Sequence, residues 1–105
     1  MNSETGNERS PARRLAELSG DVVKRLADRL PATTTEQLRT FHYVGEHGEL
    51  ADCLAAAISK ARVPLTGDER DAVAELLRLF AIPTEGLHFV DRREEIIAAL
   101  NVVDG

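Results

Sequence analysis

Three histidines and one cysteine are the side chains in this 105-residue sequence that most readily suggest metal or thiol chemistry. His42 and His47 are five positions apart with Gly45 between them, so they are not expected to share a helix face. No carboxylate completes a zinc-binding spacing such as His-Glu-x-x-His around them or around His88. Cys53 lies in an apolar stripe, where an unreactive thiol of the core is expected. The sequence therefore predicts no metal ion and no catalytic cysteine.

Other patterns that support catalysis are missing from the sequence as well. The serines have no nucleophile-elbow context, and the stretch 45–48 carries the carboxylate of Glu46 where a phosphate-binding loop must admit an anion. Paired carboxylates on predicted helices are usually caps or solvated faces. We therefore expect a protein without enzymatic activity, without catalytic residues and without a cofactor.

Charge and composition narrow the class of partner. The chain has 18 acidic and 13 basic residues, and residues 46–105 contain twelve of the acids but only six of the bases. Such a surface repels phosphates, so nucleic-acid binding is not expected, and it favours either a basic partner or simple solubility. A single cysteine excludes an intramolecular disulfide, and no apolar run approaches the length that spans a membrane. A cytoplasmic location is expected.

The residues from Gly45 to Leu77 are the most strongly patterned part of the chain, and the second stripe continues to Phe80. A first apolar stripe with a period near 3.6 predicts an amphipathic helix that ends at Val63-Pro64. Thr66 and Glu69 then make a capping box, which opens a second amphipathic helix. The unit predicts a central antiparallel helical hairpin. Its two stripes are Leu50, Cys53, Leu54, Ala57, Ile58 and Ala61, then Ala72, Val73, Leu76, Leu77 and Phe80.

Two helices are predicted ahead of this hairpin. Ser10 as N-cap and Pro11 at the first helical position open a helix that Pro31 ends, although Gly20 inside it costs about 1 kcal/mol relative to alanine. A shorter helix follows and stops at Gly45. Its predicted start is a capping box made by Thr33 with Glu36 or by Thr34 with Gln37, and its predicted inward residues are Leu38 and Phe41.

The last part of the chain is predicted to contain one more helix. Residues 87–90 form either a short extended piece or the return of a loop. Asp91 with Glu94 resembles a capping box, and Ile96 lies on the apolar face of the helix that it opens, together with Ile97 and Leu100. Residues 101–105 are expected to fray. The sum is an all-α fold, a small bundle of about five helices in one domain at residues 10–105, after a disordered lead-in at residues 1–9.

A DNA-reading helix-turn-helix is an alternative interpretation of the central hairpin. Its second helix would have to face phosphates with four carboxylates against two arginines, which opposes binding. A surface for a protein partner is therefore the favoured interpretation.

The stretch 45–54, followed by Val63-Pro64-Leu65-Thr66 and Asp68-Glu69, resembles a known family. It is similar to the small helical immunity proteins of bacterial polymorphic-toxin and contact-dependent inhibition systems, and most of all to the Maf-type immunity family. Those proteins have a Gly-Glu-aromatic-Gly helix start, an Ile-Pro-Leu turn and an acidic helix. The resemblance covers residues 33–80, and His47 stands at the aromatic position.

The resemblance implies a non-enzymatic inhibitor that binds the toxic domain of a cognate effector, often a cationic nuclease, and occludes its active or substrate-binding surface. Acids of the two central helices then become candidates for contacts with a basic partner, and an exposed aromatic or arginine becomes a candidate hot spot. The alternative is a helical module for protein–protein interaction or regulation, of which a self-associating adaptor is one example. The candidate residues are Glu46, Glu49, Asp52, Asp68, Glu69, Asp71 and Glu75, with Tyr43, Arg78 and Phe89 as hot spots.

Overall fold

Six α-helices make up the fold in a computed structural model that describes residues 11–103. Within these residues β pairing is limited to an isolated parallel bridge between Leu65 and Val102. The prediction of a small all-α bundle is confirmed. The lead-in predicted at residues 1–9, the Ser10 cap and the last two residues lie outside the described part. The helices are α1 (Pro11–Leu26), α2 (Ala32–Val44), α3 (His47–Lys60), α4 (Gly67–Arg78), α5 (His88–Asp91) and α6 (Arg93–Ala98).

The first helix is continuous through Gly20, as its apolar stripe predicts, and one 3-10 turn at Ala27–Arg29 leads to Pro31. The glycine is explained by a close approach from α2. A Cβ at Gly20 would lie 3.0 Å from Nε2 of His42. The same nitrogen lies 3.0 Å from the carbonyl oxygen of Ala16, to which it donates a hydrogen bond. The absent side chain therefore lets the imidazole pack directly on the backbone of α1.

The start of α2 differs from the prediction, whereas its end agrees. The helix begins at Ala32, where Pro31 is the N-cap residue and contributes no side-chain bond, so neither predicted capping box forms. Thr35 instead lies inside the first turn, buried, with its hydroxyl directed to the carbonyl of Ala27 at 3.4 Å. At the other end Gly45 takes the left-handed conformation, with φ of 82°, and closes the helix.

The apolar stripes of α3 and α4 are buried or partly buried as predicted, except for Ala61, which follows the end of α3 and is exposed. The capping box of Thr66 and Glu69 forms with both of its hydrogen bonds. The two helices do not, however, pair closely with each other as a simple hairpin. α3 packs mainly against α2 and α5, while α4 packs mainly against α1 and α6. The first helix contacts α2, α3 and α4, and α3 contacts α1, α2, α5 and α6, so α3 packs against more α-helices than any other element. A stripe identifies the buried face of a helix but not the helix that covers it.

The C-terminal part corrects three predictions. Residues 88–91 are a short helix, not an extended piece. The carboxylate of Asp91 accepts a hydrogen bond from the amide of Thr84 at 2.6 Å, and α6 begins without a side-chain cap. Residues 101–103 do not fray, because the amide of Leu65 donates to the carbonyl of Asn101 at 2.9 Å and the amide of Val103 donates to the carbonyl of Leu65 at 2.8 Å.

Truncation after Leu100 is expected to lower the free energy of unfolding by about 1–2 kcal/mol, because the fully buried Leu65 loses the partners of both its backbone groups. Urea denaturation followed by circular dichroism measures the change. Truncation after Val103 keeps both hydrogen bonds and serves as the control. Equal stability of the two truncated proteins would contradict a structural role for this segment.

Candidate functional site

The helices α1 and α4 lie side by side and run in opposite directions. Arg14 near the start of α1 forms an ion pair with Glu75 near the end of α4. Arg29, just after α1, makes two hydrogen bonds of 2.7 Å to the two carboxylate oxygens of Glu69 in the first turn of α4. An arginine–glutamate pair therefore fixes each end of the helix pair.

Between these two ion pairs lies an open depression of about 480 Å³, which we call the acidic groove. Its floor is formed by Leu18 and Ala72, and its rims come from the outward faces of α1 and α4. Both rims follow helical spacing, since positions three and four apart lie on one face. Seven charged residues line the rims, namely Arg14, Glu17, Asp21 and Arg25 from α1 with Asp68, Asp71 and Glu75 from α4.

Carboxylates outnumber guanidinium groups five to two along the acidic groove, and their surroundings differ. Asp21 pairs with Arg25 four residues later, and Asp71 pairs with its neighbour Arg70, each at 3.0 Å. Glu17 and Asp68 form no ion pair with any residue between 11 and 103. These two carboxylates are therefore available to a cation from outside the molecule.

Three of the residues proposed from sequence, Asp68, Asp71 and Glu75, come together in this groove. Sequence reasoning missed Glu17 and Asp21, because it weighed charge by position along the chain, and residues 1–45 are nearly neutral. The relevant signal was the spacing of the two acids, four positions apart and beside Leu18 of the apolar stripe. That signal becomes informative only once α1 is known to lie beside α4.

Two further acids proposed for a partner surface have structural roles. Oδ1 of Asp52 accepts hydrogen bonds from the amides of Phe89 at 2.8 Å and Val90 at 3.1 Å. This half-buried carboxylate therefore caps the first turn of α5 and is not a freely exposed acid. Glu69 takes part in the capping box and in the pair with Arg29, and its side chain is only 13% exposed.

The pKa of Glu69 is lowered from 4.5 to about 2, mainly by the hydrogen bonds from the Arg29 guanidinium and further by the amide of Thr66. The pKa of Arg29 is raised by the same contact. A carboxylate held this firmly by its own chain is a stabilising element rather than a free contact for a partner.

The remaining proposed residues are scattered. Glu46 and Glu49 are exposed at the start of α3, away from the acidic groove. Arg78 is exposed but engaged by Glu94 through two hydrogen bonds. Phe89 is partly buried against the core, with the Lys60 ammonium 5.5 Å from its ring centre, so the expectation of an exposed aromatic there was wrong. Tyr43 is the exposed one of the two proposed aromatic hot spots, since 90% of its surface is accessible to solvent.

Two of the histidines contact each other, which was not predicted, whereas the cysteine lies against the core as predicted. His42 and His47 belong to different helices, as predicted, yet their rings meet edge to face with centroids 5.4 Å apart. Burial lowers the pKa of His47, and the positive charge of His42 acts in the same direction. Cys53 packs against the core, and burial raises the pKa of its thiol. Within residues 11–103 no group of three or more potential ligands could hold a metal ion.

No helix among residues 11–103 combines the length and the apolar character needed to cross a bilayer. Comparison of the chain with protein-family models, with curated proteins and with solved structures finds no match.

Proposed function

We propose that this protein is an immunity protein, which binds a cognate bacterial toxin domain in the cytoplasm and neutralises it by occluding its active or substrate-binding surface. The observation that supports the proposal is the acidic groove between α1 and α4, with five carboxylates against two guanidinium groups. The resemblance of residues 33–80 to immunity proteins supplies the class of partner. Inhibition then depends on one-to-one binding and requires no catalytic residue, cofactor or nucleic acid.

The charge of the groove suits a toxin that acts on nucleic acid. Such a toxin needs a cationic surface for its substrate, and a protein with complementary charge competes for that surface and is steered toward it. Glu17 and Asp68 can meet incoming cations without breaking an internal ion pair, whereas Asp21, Asp71 and Glu75 must exchange one arginine for another. We therefore expect Glu17 and Asp68 to contribute most to association.

Co-expression with a toxin domain encoded beside this gene tests the proposal. Rescue of growth together with co-purification as a one-to-one complex is the expected result. Unrelieved toxicity, with both proteins present and folded, would overturn the proposal. Rescue by a variant that does not co-purify would also overturn it, because occlusion requires a stable complex.

The double substitution Glu17→Lys/Asp68→Lys is expected to slow association with the toxin domain by about tenfold at low salt, because two attractive contacts become repulsive. Helix content is expected to stay unchanged, since both side chains are exposed. Stopped-flow fluorescence at several salt concentrations measures the association rate constant.

The matched control is Glu36→Lys/Glu49→Lys, which makes the same change of net charge on exposed acids of α2 and α3. If both variants slow association equally, net charge alone governs the rate, and the acidic groove has no special part in binding.

A further inference from the structure

The charged side chains that line one groove of this acidic protein are basic. On the other flank of α1, between α1 and α2, lies a second groove of about 420 Å³, which we call the tyrosine groove. Its walls are mainly apolar, with the buried Val23 and the backbone of Gly20 at its floor. Its charged and aromatic rim is formed by Lys24, Arg39, His42 and Tyr43.

The two cations of the tyrosine groove differ from most others in the molecule. Seven arginines are paired with carboxylates, namely Arg14, Arg25, Arg29, Arg70, Arg78, Arg92 and Arg93. Lys24 and Arg39 form no ion pair with any described residue. Tyr43 beside them exposes 90% of its surface, and the neighbouring Val44 exposes 58%. An exposed tyrosine with an arginine and an apolar floor is the composition found at protein-binding hot spots.

The acidic groove supplies the complement of this composition. It offers two carboxylates that have no ion-pair partner among residues 11–103, Glu17 and Asp68, above an apolar floor of Leu18 and Ala72. Two cations and an aromatic ring on one flank of α1 thus match two carboxylates and an apolar depression on the other flank.

The positions of the two grooves also allow a closed contact. α1 packs against both α2 and α4, so the grooves flank one helix. Both grooves involve the same part of α1, with Glu17, Leu18 and Asp21 on the acidic side and Gly20, Val23 and Lys24 on the other. A two-fold axis parallel to α1 places the tyrosine groove of each copy opposite the acidic groove of its partner at the same height. The complementary contact is then made twice, as in other symmetric dimers.

We propose that this protein forms a symmetric homodimer through the flanks of α1, in which Tyr43 of each copy occupies the acidic groove of its partner, while Lys24 and Arg39 face the carboxylates of Glu17 and Asp68. This contact does not depend on the proposed immunity function, and it needs no other protein. Because the dimer covers the acidic groove, a basic partner that binds there competes with the second copy.

Sedimentation velocity of the full chain, from roughly 10 µM to 1 mM and at low and high salt, tests the dimer. This range detects dissociation constants from micromolar to millimolar. The expected result is a concentration-dependent shift from a monomer of 11.5 kDa to a dimer that does not grow further. High salt should weaken it, because the contacts are between exposed charges. Tyr43→Ala is expected to abolish the dimer, whereas Tyr43→Phe should keep it.

A charge swap tests the pairing directly. Lys24→Glu/Arg39→Glu and Glu17→Lys/Asp68→Lys each make both contacts of a homodimer repulsive, so each variant alone is expected to be monomeric. Mixed together they restore attraction in both contacts and should form a heterodimer. Lys60→Glu/Arg62→Glu and Glu36→Lys/Glu49→Lys change net charge equally outside the grooves and should leave the dimer intact.

Three results would overturn the proposal. They are a monomer over the whole concentration range at low salt, a dimer that persists in either groove variant, and a mixture of the two groove variants that does not associate. None of these results bears on toxin binding, because no toxin is present. A failed rescue of growth likewise leaves the dimer unaffected.

Discussion

Replacing Asp52 by alanine is expected to lower the free energy of unfolding by about 3 kcal/mol, since charged hydrogen bonds are worth roughly 1.5–3 kcal/mol each and a lost cap adds to the cost. The carboxylate accepts the amides of Phe89 and Val90, and Val90 is fully buried. Without it two donors near the core lose their acceptor. The effect is expected to be local first, because α5 has only four residues and depends on its contact with α3.

Two measurements separate this role from a general loss of helix. Urea denaturation gives the total change in the free energy of unfolding. Amide hydrogen exchange by NMR should show faster exchange at Phe89 and Val90 of α5, while the amides of α3 keep their protection. Asp52→Asn keeps an acceptor oxygen without its charge and should cost about 1 kcal/mol.

The control for this prediction is Glu49→Ala. Glu49 lies three positions earlier on the same helix, is exposed and has no ion-pair partner among the described residues, so the change should stay within about 0.5 kcal/mol. If the Glu49→Ala and Asp52→Ala variants had the same free energy of unfolding, the carboxylate of Asp52 would not be holding α5 in place.

Asp52 illustrates which features of the fold can be predicted from the sequence alone. The stripes of α3 and α4, the stop at Gly45 and the capping box at Thr66 all depend on residues within about one helical turn of one another, so spacing was sufficient to identify them. The amides that Asp52 binds lie 37 and 38 positions further along the chain. Pattern reasoning assigned this acid to the surface because its tertiary partner was not visible.

Two of the predicted capping signals failed, at the start of α2 and at the start of α6. Asp91 has the spacing of a cap, but its carboxylate is taken by the amide of Thr84. The capping boxes predicted for Thr33 and Thr34 fail for a different reason, because α2 already begins at Ala32. A capping motif therefore predicts a helix start only when no other donor takes the side chain and when the helix does not begin further upstream.

The candidate site depended even more on tertiary structure. Its two rims are about 50 positions apart in the chain, and neither is unusual alone, because each alternates acids with arginines as many solvated helices do. Only the antiparallel packing of α1 and α4 turns them into a groove with a net negative charge. The exposed acids at the start of α3, Glu46 and Glu49, do not line this groove.

Substitution of Glu69 by glutamine is expected to lower the free energy of unfolding by about 2–3 kcal/mol at neutral pH, because the pKa of Glu69 is lowered from 4.5 to about 2 by its contact with Arg29. Glutamine retains an acceptor for the Thr66 amide, so the capping geometry is largely kept and the loss reports the ion pair. The Arg29 side chain is 29% exposed, so solvent screening reduces the contribution of the ion pair below the value that the pKa shift alone would give. Arg29 also bonds the carbonyl of Pro64, so the pair connects α1, the turn at Pro64 and the start of α4.

The pH dependence gives the sharper test, and its sign is fixed by linkage. A carboxylate with a lowered pKa stabilises the fold above its unfolded value of 4.5, and this stabilisation is lost as pH falls from about 4.5 to about 2. The wild-type protein should therefore lose more stability across that range than Glu69→Gln. Plotted against pH, the free energies of unfolding of the two proteins should converge near pH 2.

The control is Glu94→Gln, which removes the exposed pair with Arg78 and should leave both stability and its acid dependence nearly unchanged. If the free energies of unfolding of the wild type and Glu69→Gln ran parallel with pH, the contact with Arg29 would not stabilise the charged carboxylate. The ion pair would then not be what holds α4 against the end of α1.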